Sequence, residues 1–319
     1  MTTRKTNLPA PLESEVATLS PTSTEERLLS VYLRTLTSPQ TIKTYNTEIR
    51  MFLAYTREIG KDLEQITAED ISLYREHLLK TYASATTAKK LAALRRFLVF
   101  TYMGGATSVN PEALRFFAKS PRVRQDPSYN VLTEDELARM LSAARATSYR
   151  DYVMLAVMAS CGLREAEVVG IKVGDFRDVG GGQVLLRILG KGDKIRNVPI
   201  SPELWQLVQR FVLLSGRSFT SHADARKPLF ISREGKDRSL TTRSIRYIVK
   251  KYVNSAGITK AISPHSIRHT VGTNMAVNEA PLLVIQQYLG HSDPKTTMRY
   301  IRRAEELASK AYQYNTLPI

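Results

Sequence analysis

The chain has 319 residues, 43% of them hydrophobic, and its 46 Lys and Arg outnumber 30 Asp and Glu to give a net charge of +16. This apolar content argues against wholesale disorder, and no apolar run reaches the roughly eighteen residues of a membrane span. A single cysteine, Cys161, excludes an internal disulfide framework. The positive charges recur along the chain, which favours an extended surface for a polyanion, with nucleic acid first and an acidic membrane second.

The first 22 residues are rich in Thr, Ser and Pro and are predicted to form a flexible polar tail. They contain no apolar signal core, which together with the single thiol predicts a cytoplasmic protein. Helix-start signals at Ser23, at Ser38-Pro39 and at Thr67, each followed by apolar periodicity, then run through residues 23–116. This part of the chain is predicted to be a small domain of four helices.

The fourth predicted helix, about 85–101, combines an apolar stripe with a basic outer face. The stripe comprises Leu91, Leu94 and Leu98. The basic residues are Lys89, Lys90, Arg95 and Arg96. Helical geometry places them opposite or beside the stripe, as candidate DNA contacts or as an ordinary solvated face.

Residues 117–130 lack apolar periodicity and are predicted to form an interdomain linker, in which Arg122 and Arg124 are candidate contacts to a phosphate backbone. A second domain is predicted over 131–319. Within it, residues 183–200 indicate two β segments around a turn, and helical patterns flank them. The predicted fold is therefore mainly α, with a small β-sheet or hairpin in the C-terminal domain.

Two candidate functional residues lie in the first half of this second domain. Gly162 ends one helix, and Arg164 begins the next helix two residues later. Taken alone, Arg164 is typical of a structural ion pair. Lys191 lies at the tip of the predicted hairpin, in a stretch that lacks the P-loop pattern, and such a lysine is either solvated or able to reach a bound substrate.

A third candidate region begins at the strong helix start Ser263-Pro264. His265 and Arg268 share one face of its first turns, where a helix N-terminus favours anions. Metal binding by His265 and His269, one turn apart, is the rival interpretation. It is not favoured, because no acidic residue or third ligand is near in sequence and an arginine would crowd the cation. His269 alone is predicted to be a packing residue.

The fourth candidate region contains His291, which follows the helix-ending Gly290, and Tyr300, on a short helix after an Asp-Pro turn. Together the four regions supply two arginines, a lysine, two histidines and a tyrosine. Two guanidiniums neutralise the non-bridging oxygens of a phosphodiester, and a lysine or histidine protonates the leaving oxygen. A deprotonated tyrosine is a nucleophile that forms a covalent phosphotyrosyl bond. These residues therefore favour phosphodiester transfer without a metal.

Four stretches, GLREAEVVGIKVGD, ILGKGDKIRNVPI, SPHSIRHTVGTNM and LGHSDPKTTMRY, resemble in order and spacing the tyrosine site-specific recombinase (phage integrase) family, most of all its compact Xer-type members. The resemblance covers roughly residues 25–310, and four boxes in register are far more specific than one. It implies a two-domain clamp around duplex DNA, with a helical core-binding domain and a mixed α/β catalytic domain.

The resemblance also implies a role for each motif residue. Arg164 and Arg268 would clamp the scissile phosphate, and Lys191 would protonate the departing 5′ oxygen. His265 would assist proton transfer at the tyrosine, and His291 would bond a non-bridging oxygen. Tyr300 would form the 3′-phosphotyrosyl link. Glu167 and Asp175 match acidic positions of the first box and are expected to support the site without reacting. Neither a cofactor nor a metal is implied.

Four protomers, of this chain alone or with a second recombinase, would act on inverted-repeat DNA sites through a Holliday junction, with the C-terminal segment docking on a neighbouring subunit. Such an enzyme would work at the nucleoid. Further candidate DNA contacts at the start of one helix are Thr241, Thr242, Arg243 and Arg246.

Two other functions stay open beside the recombinase: a DNA-binding protein without strand transfer, and a type IB topoisomerase-like enzyme that acts as a monomer. The residues also leave open the target sequence and a need for a partner or activator. They do not decide between chromosome-dimer resolution and integration, excision or inversion of a mobile element.

Overall fold

A computed structural model of the chain describes residues 23–122, 130–190, 192–232 and 237–308. The chain forms two compact units, Met1–Gln125 and Asp126–Ile319. The division between them falls within the segment predicted to be a linker. Among the described residues, no helix combines the length and the apolar character needed to cross a membrane.

The described part of the first unit is a helical bundle around one apolar core. Its helices are α1 (Thr24–Arg34), α2 (Pro39–Glu58), α3 (Ala68–Thr81), α4 (Ser84–Met103) and α5 (Pro111–Phe117). The predicted starts are confirmed, because the side chains of Ser23, Ser38 and Thr67 each accept a hydrogen bond from the first turn of their helix.

Helix α5 was not predicted, and it extends the helical region one residue beyond the expected boundary at 116. Asn110 caps it and Pro111 occupies its first position, so the start signal is present. Within the helix only Leu114 is buried, which leaves no apolar periodicity for the sequence to reveal. Ala118, directly after α5, is also part of the buried core of this unit.

The predicted basic face of α4 needs a correction at Lys90. Lys89 and Arg96 are exposed as expected, but Lys90 is buried and its ammonium pairs with Glu48 at 2.5 Å. Arg95 is half-buried and donates to the carbonyl of Ala118 at 3.0 Å. Lys90 borders the apolar stripe closely enough to be covered by α2, because one turn of a helix separates it from Leu94. Lys90 is thus a structural ion pair, and it is withdrawn as a DNA contact.

Lys90→Met is expected to lower the free energy of unfolding by about 3 kcal/mol, because it leaves the largely buried carboxylate of Glu48 without its ammonium partner. Urea unfolding of the full chain measures the change. Lys89→Met is the matched control, since this exposed neighbour should alter stability by no more than about 0.5 kcal/mol. Equal stabilities for the two variants would contradict the assigned role of Lys90.

The second unit places helices around a small antiparallel sheet. Its described helices are α6 (Glu134–Thr147), α7 (Tyr149–Cys161), α8 (Glu165–Gly170), α9 (Pro202–Leu214), α10 (His222–Ala225), α11 (Thr242–Ser255), α12 (Pro264–Val277), α13 (Leu282–Leu289) and α14 (Pro294–Ala308). Its strands are β1 (Phe176–Asp178), β2 (Val184–Leu189) and β3 (Ile195–Ile200), in the order β1-β2-β3. The mainly helical fold with a small sheet is confirmed.

The predicted hairpin is β2 paired with β3, with Leu189 opposite Ile195 at the end where the chain passes from one strand to the other. Strand β1 was missed because it has three residues, too few to show an alternating pattern. It follows a single 3-10 turn, Val173–Asp175, and pairs with β2. The sheet thereby holds both strands that lead to Lys191, which itself lies outside the described residues.

Helix α7 runs through the core of this unit and fixes where the functional residues emerge. Its side chains Val153, Leu155 and Val157 have no exposed surface. The helix ends at Gly162, which adopts a left-handed conformation with φ 60°, and α13 ends in the same way at Gly290 with φ 67°. Both helices therefore stop abruptly, and the residues that follow turn back toward α12.

Candidate active site

Arg268 lies on the buried face of α12 and is only 1% exposed. Its guanidinium donates to the carbonyl of Gly162 at 2.8 Å and to the carbonyl of Leu289. These carbonyls come from the ends of α7 and α13, so the abrupt helix ends are what hold the arginine. Burial, followed by the charge of Arg164, lowers the pKa of Arg268 to about 10, which still leaves it protonated at neutral pH.

Arg164 lies at the N-terminus of α8, where Glu167 closes the first turn. The Glu167 carboxylate accepts from the Arg164 backbone amide at 2.9 Å and from its guanidinium at 2.8 Å. Another guanidinium nitrogen of Arg164 donates to the carbonyl of Gly290 at 3.3 Å. Because the Arg164 side chain stays 37% exposed, it is held at its base and still accessible to an anion.

Arg196 on β3 is a site residue that was not predicted from the sequence. It forms two hydrogen bonds to the Glu167 carboxylate, at 2.9 Å and 2.8 Å, and a third to the carbonyl of Tyr288 at 3.0 Å. It therefore ties the hairpin to α8 and to the end of α13. Only a weak signal of this role is present in the sequence. Arg196 lies in the predicted hairpin, where the alternation of apolar and polar residues along the strand is also compatible with a side chain that faces solvent.

Glu167 remains ionised although it is buried. Burial alone would raise its pKa, but the hydrogen bonds and charge of Arg196, with the hydrogen bonds from Arg164, hold the pKa at about 2. The carboxylate also lies 3.8 Å from the guanidinium of Arg268. Glu167 is thus a shared anchor for three arginines, in keeping with the supporting role expected of it.

Glu167→Gln is expected to remove a pH-dependent part of the stability. The folded pKa of Glu167, about 2, lies below its ordinary value of 4.5. The carboxylate therefore contributes stability above about pH 4.5, of about 3 kcal/mol, and loses it as the pH falls toward 2. Urea unfolding from pH 7 to pH 3 should show the gap between wild type and variant narrowing with acidification. A constant gap would contradict this, and Glu112→Gln, in an exposed ion pair, is the control.

His291 follows Gly290 and is buried against the first turns of α14. Its Nδ1 lies 2.9 Å from the hydroxyl of Thr297, and its ring stacks on Tyr300 with centroids 5.8 Å apart. Burial and the charges of Arg268 and Arg164 lower the pKa of His291 to about 3, so its imidazole is neutral at physiological pH. The bond to Thr297 fixes the ring and leaves Nε2 as the nitrogen available to a ligand.

Tyr300, on α14, has no exposed surface, and its hydroxyl lies 2.9 Å from Nδ1 of His269. The ring packs flat on α12 at Gly272, where an added Cβ would come within 2.7 Å of the ring carbons. Glycine is therefore required at 272 for this close approach. A phosphodiester can reach the Tyr300 hydroxyl only if the surrounding side chains move.

The prediction that His269 is only a packing residue was wrong, since His269 contacts the hydroxyl of Tyr300. The signal in the sequence was weak: His265, His269 and Gly272 follow one another at helical spacing on one face of α12, but the spacing does not show that Tyr300 packs there. His265 itself is partly exposed to solvent and meets His269 ring to ring, with centroids 4.3 Å apart. Burial, then the charges of Arg268 and Arg164, lower its pKa. His265 is connected to the tyrosine through His269.

The remaining predicted residues fall outside this cluster or outside the described chain. Lys191 and Arg124 lie outside the described residues, and Arg122 is exposed. Asp175 accepts from the backbone amide of Lys172 at 2.8 Å and pairs with Arg187 at 3.8 Å. These contacts support the turn before β1, so Asp175 acts on the sheet, whereas Glu167 acts on the arginines.

The predicted contacts on α11 lie at its exposed N-terminal end. Thr241 caps the helix by accepting from the amide of Ser244 at 3.1 Å, and Thr242 and Arg243 follow it in the first turn. Arg246 pairs with Glu165 and, with Arg164, lines a surface groove. Lys250, Lys260 and His265 line the same groove, together with Glu165 and several apolar side chains. Its cations outnumber its one carboxylate, so this groove beside the arginine cluster is called the basic channel.

Both units of the chain match known protein families. Residues 130–306 match the phage integrase family, and residues 29–105 match the N-terminal SAM-like domain of phage integrases. The chain is 31% identical over 287 residues to the tyrosine recombinase XerC of Pelobacter propionicus, covering 86% of this chain and 90% of that protein. It is 32% identical over 280 residues to XerC of Syntrophus aciditrophicus, covering 82% and 87%.

Solved structures share the fold. A XerH site-specific recombinase, crystallised with a palindromic difH substrate after cleavage, aligns with a TM-score of 0.66 at 23% identity, covering 86% of this chain and 80% of that one. A lambda integrase dimer bound to a COC′ core site aligns with a TM-score of 0.67 at 15% identity, covering 86% and 75%. With the family match over most of the second unit, these findings identify the chain as a tyrosine recombinase of the phage integrase family.

Proposed function

We propose that this chain is a site-specific DNA recombinase that cuts and rejoins duplex DNA through a 3′-phosphotyrosyl link to Tyr300. The observation that carries the proposal is the convergence of Tyr300, His291 and Arg268 beside the exposed arginine Arg164. A nucleophile and two guanidiniums in one site are what attack on a phosphodiester needs.

In the proposed reaction, Arg164 and Arg268 hold the non-bridging oxygens of the scissile phosphate, and Nε2 of His291 bonds one of them. The Tyr300 oxygen attacks phosphorus, so that an O–P bond forms and the bond from phosphorus to the 5′ oxygen breaks. Lys191, at the tip of the hairpin, protonates that leaving oxygen. The reverse reaction with a 5′ hydroxyl rejoins the strand, and the phosphotyrosyl bond conserves the energy, so ATP is not needed.

The site has to open before it reacts, because Tyr300 is fully buried and Arg268 is 1% exposed. Arg164 and the basic channel beside it are the accessible entry, with Lys250 and Lys260 on its wall. We propose that the DNA backbone first engages this channel and that the side chains covering the Tyr300 hydroxyl then move aside, while α14 keeps its packing on α12. A binding-dependent change of this kind would confine cleavage to assembled DNA complexes.

The first unit is proposed to be the core-binding domain, as its SAM-like match suggests, with Lys89 and Arg96 of α4 as exposed contacts to DNA. Arg122, Arg124 and the N-terminal residues of α11 are proposed contacts to phosphate or bases. The linker 117–130 would join this domain to the catalytic domain, 131–319, and the polar tail 1–22 would precede both.

The proposed assembly contains four protomers bound to inverted-repeat DNA sites. The protomers are either all copies of this chain or include a second recombinase, and strands are exchanged through a Holliday junction. The palindromic substrate named for the XerH complex is consistent with such a site. The C-terminal segment of each protomer would dock on a neighbour. An enzyme acting in this way on bacterial-type chromosomes or mobile elements would work at the nucleoid in the cytoplasm.

Covalent trapping tests this function. The full chain is incubated with a library of nicked duplexes in which cleavage releases a short strand and prevents religation. Denaturation-resistant adducts are recovered, the DNA is sequenced, and the attached peptide is identified by mass spectrometry. The expected result is one enriched sequence linked to the peptide that contains Tyr300.

Two outcomes would replace the recombinase with another function. Tight binding to a specific sequence without any adduct, also with candidate partner proteins added, would favour a DNA-binding module. Adduct formation with relaxation of single supercoiled plasmids, but without strand exchange between two duplexes, would favour a topoisomerase-like enzyme. Strand exchange that requires two copies of the trapped sequence supports the proposal.

A further inference from the structure

We propose that His269 is a catalytic residue: its Nδ1 accepts the proton of the Tyr300 hydroxyl as that oxygen attacks the phosphate. The proposal rests on the proposed function, in which Tyr300 is the nucleophile. It gives His269 the task at the tyrosine that the family resemblance implied for His265.

The first observation is contact with the reacting atom. Nδ1 of His269 lies 2.9 Å from the Tyr300 oxygen, within the range for direct proton transfer. Both residues are buried, with 6% of His269 and none of Tyr300 exposed. A hydrogen bond shielded from water in this way holds its geometry and does not compete with solvent.

The second observation is the support around the imidazole. The His265 ring meets it at 73° with centroids 4.3 Å apart, and the Tyr300 ring lies 5.5 Å away. The close approach of Tyr300 to Gly272 holds α14 against α12, so the two partners are carried by helices in direct contact. The hydrogen bond is therefore set by packing on both sides.

Burial, with the charges that face His269, keeps its imidazole neutral and able to accept a proton. Burial lowers its pKa most, followed by His265, by Arg299 of α14, by Arg268 on its own helix, and by His291 beyond α13. Their combined effect lowers the pKa to about 3. A neutral imidazole that accepts at Nδ1 carries its hydrogen on Nε2. Attack on the phosphate puts negative charge on the site, which offsets the neighbouring cations and raises the basicity of the ring at that moment.

The proton balance of the step is complete. The Tyr300 O–H bond breaks and its proton moves to Nδ1 of His269, while the oxygen forms its bond to phosphorus. The bond from phosphorus to the 5′ oxygen breaks, and the leaving oxygen takes a proton from Lys191, its proposed acid. In the rejoining step the 5′ hydroxyl gives up its proton to Lys191, and His269 returns the first proton to the tyrosine oxygen as the phosphotyrosyl bond breaks.

Two substitutions separate proton transfer from positioning. In His269→Asn, the amide oxygen takes the place of Nδ1 and still accepts a hydrogen bond from Tyr300, but it cannot take up the proton. His269→Ala removes both the hydrogen bond and the base. His222→Asn, on the exposed helix α10, is the matched control for a histidine substitution outside the site.

Single-turnover cleavage is measured from pH 6 to pH 10 on the nicked duplex that the trapping selection recovers. Both His269 variants should cleave about 100-fold or more slowly than wild type at pH 7, the usual range for loss of a general base. Their rates should then rise about tenfold per pH unit toward pH 10, because hydroxide in solution takes over removal of the proton. The His222→Asn profile should follow that of wild type.

A second substrate distinguishes the base from the acid. When sulfur replaces the bridging 5′ oxygen, the leaving group no longer needs a proton, so loss of an acid is rescued and loss of a base is not. The His269 variants should therefore keep their full defect on this substrate, whereas Lys191→Ala should recover. Recovery of a His269 variant would overturn the assignment.

Other outcomes also overturn it. His269→Asn cleavage within a few-fold of wild type would reduce His269 to a hydrogen-bonding support, and faster cleavage would make the contact a restraint on Tyr300. Because His269→Asn preserves the acceptor, it decides the matter even if His269→Ala fails to fold. Absence of any adduct with the wild-type chain would instead refute the proposed function, so the two failures are distinguishable.

Discussion

Tyr300→Phe is expected to bind the target DNA with wild-type affinity and to form no covalent adduct, a loss of at least about 10⁴-fold in single-turnover cleavage. The substitution removes only the hydroxyl. The ring retains its packing on Gly272 and its stacking on His291, so the site keeps its shape. Gel-shift affinity and adduct yield on the same nicked duplex measure the two properties.

The stability of Tyr300→Phe should fall by only about 1 kcal/mol, the usual contribution of one hydrogen bond, because the bond to His269 is lost. Tyr288→Phe is the matched control. Its hydroxyl donates to the carbonyl of Ser160 at 2.9 Å, so the same atom is removed from a neighbouring helix. That control should cleave normally. An adduct of undiminished yield in Tyr300→Phe would mean that a different residue is the nucleophile.

Arg268→Lys is expected to reduce cleavage by about 10³-fold while DNA binding changes little. Lysine preserves the positive charge but lacks the planar guanidinium. In Arg268 this group donates to two backbone carbonyls and in the proposed reaction also faces the phosphate. Loss of one transition-state donor costs on the order of 10²–10³ in rate, and the misplaced ammonium adds to that loss. Single-turnover cleavage at saturating DNA isolates the chemical step from binding.

The matched control for this prediction is Arg217→Lys. Arg217 is also buried, and its guanidinium donates to the carbonyls of Pro228 at 2.6 Å and Leu229 at 2.9 Å. Both variants should therefore lose stability in urea, whereas only Arg268→Lys should lose cleavage. Equal cleavage defects in the two variants would show that the effect of Arg268 arises from folding rather than from the phosphate.

The parts of the fold that the sequence predicted are those set by local interactions. Ser23, Ser38 and Thr67 are helix caps, and a cap needs only the next three residues to be recognised. Helix α5 and strand β1 escaped because short elements with few buried side chains produce no periodic pattern. Lys90 was misplaced because a residue at the border of an apolar stripe is covered or exposed according to the neighbouring helix, here α2 with Glu48.

In the candidate site, too, local features could be predicted from the sequence and contacts between distant residues could not. The four motifs, with their arginines, histidines and tyrosine, could be recognised from the sequence. Arg196 and His269 could not be assigned because their partners are distant along the chain: Arg196 bonds Glu167 across 29 positions, and His269 bonds Tyr300 across 31. Only the packing of α12 against α14, and of β3 beside α8, brings these pairs together.

The arginines around Glu167 have a consequence for which state of the substrate the site favours. Arg164, Arg196 and Arg268 lie 2.8, 2.8 and 3.8 Å from that carboxylate, so three positive charges and one negative charge leave this group of four side chains with two positive charges. A phosphodiester at rest carries one negative charge, and the five-coordinate species formed during attack carries two. The cluster thus complements the charge of the transition state better than the charge of the bound substrate. Binding energy accelerates a reaction only when the transition state is bound more strongly than the substrate in this way. Without Glu167 the three arginines would lose the carboxylate that holds them together, and this match of charge would no longer be fixed in place.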